Sequence, residues 1–85
     1  MATTSNTVRP LSEQRVLTIR DDILDSLVAN RKQTPEEMAA WTRKIASRRR
    51  VTRQQVAGVR AAMSRGSYGK LSTLLRNRRK AANAS

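Results

Sequence analysis

Asp21, Asp22 and Asp25 form the one gathering of carboxylates in this 85-residue sequence where joint chemistry is conceivable. On a helix Asp21 and Asp25 stand at i and i+4, near enough to hold a divalent cation weakly. Two carboxylates without further oxygen ligands still fall far short of a calcium loop. General acid–base work calls for a group tuned toward neutral pH, usually histidine or a paired, partly buried carboxylate. Histidine is absent, and the spacing puts the three aspartates on the polar side of their helix, where solvation leaves a carboxylate ordinary. Cysteine is absent too, which closes zinc-finger, Fe–S, thiol-nucleophile and disulfide chemistry. Gly66 and Gly69 lack the following Lys-Ser/Thr of a phosphate loop, and no strand signal precedes them. The expectation is a chain that is not an enzyme and takes neither metal nor cofactor.

The basic residues are far more numerous, 18 against 6 acids for a formal charge of +12, and they are unevenly placed. All six acids fall at or before Glu37, alongside five basic residues, Arg9, Arg15, Arg20, Arg31 and Lys32. From Met38 onward there are 13 basic residues and no acid. Arg48-Arg49-Arg50 with Arg53, and Arg76-Asn77-Arg78-Arg79-Lys80, are the two densest clusters. A run of like charge is usually a solvated face, so each cluster alone is weak evidence. Thirteen uncompensated cations on one half of a chain point to a polyanion, nucleic acid first.

The elements that must display these cations are helical. Residues 1–10 are Thr/Ser/Asn-rich and read as a disordered leader, 11–80 as a single helical domain, and 81–85 as a disordered tail. Helix one is expected from an N-cap at Ser12 to about Lys32, with apolar rows Val16-Ile19-Ile23-Leu27 and Leu17-Leu24-Val28. This stripe is wide and has Arg20 in its middle, so it covers several helices of its own chain or, alternatively, a second copy in a homodimer. Thr34-Pro35-Glu36-Glu37 starts helix two with a capping box, and Met38, Trp41 and Ile45 line its inner face. That spacing favours Trp41 as a core anchor over a base-stacking surface. Thr52-Arg53-Gln54-Gln55 opens helix three with a second box; Val56, Val59 and Met63 point inward and Gly66 supplies the stop. Its outward face carries Gln54, Ala57, Ala61 and Arg65, small residues between long ones that suit close approach to a duplex or to another helix. Helix four runs from about Ser67 or Gly69 to Lys80, with Leu71, Leu74 and Leu75 inward.

The fold class is thus an all-α, small four-helix domain. Its last two helices, joined by a Gly-containing turn, resemble a helix-turn-helix unit in outline over residues 52–80. That resemblance implies that Lys70, Thr73, Arg76 and Asn77 lie nearest the bases of a major groove. Phosphate contacts fall to Arg48, Arg49, Arg50, Arg53, Arg79 and Lys80, and Arg43, Lys44, Gln54, Arg60 and Arg65 complete the expected nucleic-acid-binding set. The partner expected is duplex DNA, with a structured RNA as the runner-up; only Trp41 and Tyr68 are aromatic, which argues against single-strand recognition by stacking. An acidic protein partner, engaged by an inhibitor or adaptor, is the reading from another class. No apolar run approaches the ~18–20 residues that span a bilayer, and the basic helices lack an insertion face. No membrane association and a cytoplasmic, nucleoid-associated location are therefore expected.

Overall fold

The computed structural model describes residues 11–30 and 33–84. They form four α-helices, α1 (Glu13–Ala29), α2 (Pro35–Arg49), α3 (Arg53–Ser64) and α4 (Leu71–Ala84), and the described residues contain no strand. The leader expected over 1–10 lies outside the described residues.

The caps explain where the helices begin. Ser12 accepts from the Arg15 backbone N–H at 3.2 Å, starting α1 where its spacing predicts. Thr52 and Gln55 form a complete capping box, with Gln55 N donating to Thr52 Oγ1 at 3.0 Å and Thr52 N to Gln55 Oε1 at 2.9 Å. At α2 the expected box is half closed. Thr34 Oγ1 accepts from Glu37 N at 3.2 Å, but the Glu37 carboxylate takes the Thr34 hydroxyl at 3.0 Å and not the cap backbone N–H.

Ends depart from expectation for local reasons. Helix α1 stops at Ala29, short of Lys32, because Asn30 turns extended while its backbone N–H and side-chain amide both bond Ser26 O. Helix α2 ends with Arg50 in the left-handed region, φ 56°, and the Val51 N–H returning to Ala46 O at 3.0 Å. Helix α3 ends in the same motif with the residue that suits it: Gly66 has φ 83°, and Ser67 N reaches Ala62 O at 3.0 Å. With Gly69 also left-handed, the turn extends to Lys70, so α4 starts later than expected. It also runs through Ala84 where a frayed tail from Ala81 was expected, since alanine is the best helix former.

Helix α1 is central and packs on α2, α3 and α4, while α2 also packs on α3. The core takes Ile19, Ile23 and Leu24 from α1, Trp41, Ile45 and Ala46 from α2, and Val56, Val59 and Met63 from α3. The wide stripe on α1 therefore covers helices of its own chain, leaving Leu17 and Val28 half-buried outside the core cluster. Trp41 is a core anchor, its indole N–H donating to Gln33 Oε1 at 3.2 Å. Helix α4 contributes no fully buried residue and is held by the edges of Leu71, Leu74 and Leu75.

Candidate functional site

The three α1 aspartates do not share a ligand; each takes its own arginine. Arg20 meets its neighbour Asp21 at 2.8 Å. Arg49 grips Asp22 bidentately, Nε to Oδ2 at 2.6 Å and Nη2 to Oδ1 at 3.0 Å. Arg78 grips Asp25 the same way, at 2.5 and 2.9 Å. Hydrogen bonding to Arg78 holds the Asp25 carboxyl below the usual carboxylate range against a smaller opposing effect of burial, and Asp25 in turn raises Arg78. The hydrogen bond to Asp22 likewise raises Arg49.

These pairs divide the cations by role. Asp22 is buried at 8 % exposure, which corrects its placement on a solvated face. It stands three residues after Ile19 and beside Ile23, so it lies at the edge of the apolar row. Arg49 continues the Trp41–Ile45 row of α2 at i+4, and its backbone carbonyl also accepts from Arg15. Arg49, expected at a phosphate, is thus occupied in fastening α2 to α1. Arg78, absent from the expected site, completes the row Leu71-Leu74-Leu75-Arg78 and fastens α4 to α1. Arg49 at i+4 from Ile45, and Arg78 at i+4 and i+7 from Leu74 and Leu71, continue apolar rows, and that was the signal for both.

The remaining cations are displayed. Arg43, Lys44, Arg48, Arg50, Arg53, Arg65, Lys70, Arg76, Arg79 and Lys80 are exposed and form no ion pair among the described residues. On α4, rotation of 100° per residue places Thr73, Arg76, Asn77 and Lys80 together on the side opposite the leucines. All four are exposed there, while Arg79 lines a groove between α1 and α4 beside Leu27 and Leu75.

Four expected residues come together in a second groove, of about 550 Å³, between α2 and α3: Arg43, Arg53, Gln54 and Arg60. Ala39, Ala57 and Thr42 share its lining. Arg60 is half-buried, its guanidinium 5.8 Å from the centroid of the Trp41 ring and 3.9 Å from the Met38 sulfur. Lys44 and Arg48 lie elsewhere, in an α1–α2 groove that also contains Asp22 and Asp25. Most of the sequence-expected residues thus fall into an α2–α3 groove set, an α1–α2 set facing acids and an outward α4 set; Arg49 is held by Asp22, Arg79 lines the α1–α4 groove, and Arg50, Arg65 and Lys70 are exposed near helix ends.

Among the described residues no helix is long and apolar enough to cross a membrane. Comparison of the chain with protein-family models, with curated proteins and with solved structures finds no match, so its function is argued from this arrangement of cations.

Proposed function

We propose that this chain binds nucleic acid, duplex DNA before RNA, as a small regulator or architectural factor that is not an enzyme. The observation that carries the reading is the sorting of its cations. Three arginines take the α1 aspartates, two of them bridging helices, whereas the exposed cations of α2, α3 and α4 have no carboxylate partner among the described residues. An unneutralised field on rigid helices suits a phosphate backbone, from which binding releases condensed counterions. Helices α3 and α4 with their glycine turn would act as a helix-turn-helix-like hairpin. The α4 face of Thr73, Arg76, Asn77 and Lys80 would meet the major groove, where Arg pairs with guanine and Asn with adenine.

Fluorescence anisotropy of a labelled duplex across about 50 to 200 mM salt tests the reading. If about six phosphates are neutralised, log K falls against log salt with a slope near −5. Unlabelled duplex RNA, single strands and an acidic protein serve as competitors. Absence of duplex binding at the low-salt end, or tighter binding to the acidic protein there, overturns the proposal.

A further inference from the structure

We propose that the α2–α3 groove is a built seat for one phosphate group, held by Arg43, Arg53 and Arg60 and by the hydroxyl of Thr42. The inference rests on the nucleic-acid reading for the source of that phosphate, a strand backbone; a free phosphate ester offers the same chemistry.

Three observations meet in the groove. Its lining contains three guanidinium groups and no carboxylate, whereas the lining of the neighbouring α1–α2 groove has Asp22 and Asp25 beside Lys44 and Arg48. Three like charges around one hollow of about 550 Å³ repel each other until an anion enters. Arg60 is already positioned by the face of Trp41, so little of its freedom remains to be lost on binding. The third observation concerns Thr42. It is 8 % exposed, it lines this groove, and its buried Oγ1 has no hydrogen-bond partner. A buried hydroxyl without a partner destabilises the fold, and a turn of the Thr42 side chain toward the cationic groove it lines would give that hydroxyl a phosphate oxygen as acceptor. Ala39 and Ala57 in the lining leave the space beside it unfilled.

The sole tryptophan lies under Arg60, so Trp41 emission reports on the groove. The full-length chain is titrated with inorganic phosphate against chloride at matched ionic strength, and in parallel with a short DNA duplex. The wild type gives a saturating change with phosphate that chloride does not reproduce, and phosphate competes with the duplex. Thr42→Val removes the hydroxyl at constant shape. It raises the melting temperature by on the order of 4 °C while weakening phosphate binding about fivefold to tenfold. Thr42→Ser restores the affinity, and Arg53→Gln weakens it without the gain in stability. The opposite signs for stability and affinity in Thr42→Val are what a merely structural threonine would not give.

If duplex binding persists while phosphate fails to saturate, or while Thr42→Val and Arg53→Gln bind phosphate and duplex as the wild type does, the seat is refuted and the nucleic-acid reading stands. Saturation by phosphate with no duplex binding even at low salt supports the seat, assigns it to a free phosphate ester, and refutes the nucleic-acid reading. Displacement of phosphate by polyglutamate at equal charge refutes selectivity for phosphate, and with it the proposal.

Discussion

Arg76 and Arg78 are two residues apart on α4, of the same type, and have opposite expected roles. Arg78 lies on the leucine side and holds Asp25 through two hydrogen bonds; Arg76 lies exposed on the outward side and forms no ion pair among the described residues. Replacing each by Gln separates fastening from binding. The Arg78–Asp25 pair keeps 35 % and 56 % of its side-chain surfaces exposed, so solvent screens it and its contribution is that of a surface pair, at most about 1 kcal/mol. Arg78→Gln should therefore lower the melting temperature by no more than about 4–8 °C and leave the salt slope of duplex binding unchanged. Arg76→Gln should leave the melting temperature unchanged and reduce the slope by about 0.9, one phosphate contact. Thermal unfolding by circular dichroism and anisotropy titrations at several salt concentrations give both numbers for both variants. Equal loss of slope in Arg76→Gln and Arg78→Gln would mean that the ion pair opens on binding, and the division of the cations into two roles would be refuted.

Met63 is 1 % exposed at the meeting of α1 and α3, and Met63→Ala should cost about 2–5 kcal/mol, enough in a domain this small to abolish a cooperative melt. Because Arg78 depresses the Asp25 pKa in the folded chain, the pair's contribution is fully present above the unfolded value of about 3.9 and disappears as pH falls through the lower folded value. The acid limb of a stability–pH curve should therefore flatten in Asp25→Asn, and an unchanged limb would contradict the pairing. Arg50 adopts φ 56° at the end of α2, where glycine carries no side-chain penalty; Arg50→Gly should raise stability by about 0.5–1 kcal/mol in urea melts while weakening duplex binding at low salt.

Much of the fold is legible because capping and apolar spacing are local signals. Ser12, Thr34 and Thr52 each start a helix where their hydroxyls meet a backbone N–H, and the inward residues of α2 and α3 follow from the i, i+3, i+7 spacing. Helix ends read less well. Asn30 stops α1 through bonds to Ser26 that compete with further helix, and Arg50 takes a left-handed role that sequence rules reserve for glycine or asparagine. The late start of α4 depends on two glycines acting together, a property of the whole turn and not of one position.

The site is legible as a set of charges and not as a set of roles. Arg49 is set apart from its neighbours Arg48 and Arg50 by meeting Asp22, which lies 27 residues earlier in the chain, and that encounter depends on how α1 crosses α2. Arg78 is likewise set apart from Arg76 and Arg79 by Asp25, 53 residues away. Acids confined to the first 37 residues nevertheless constrain the outcome. With α1 central, its aspartates take one cation from α2, Arg49, and one from α4, Arg78, while the other cations of those helices form no ion pair among the described residues. The acidic first helix thus acts as a sorting surface. It neutralises Arg49 of α2 and Arg78 of α4, the two arginines that fasten those helices to it. The exposed arginines on the far sides of those helices are left without a carboxylate among the described residues, as the proposed binding of a polyanion requires.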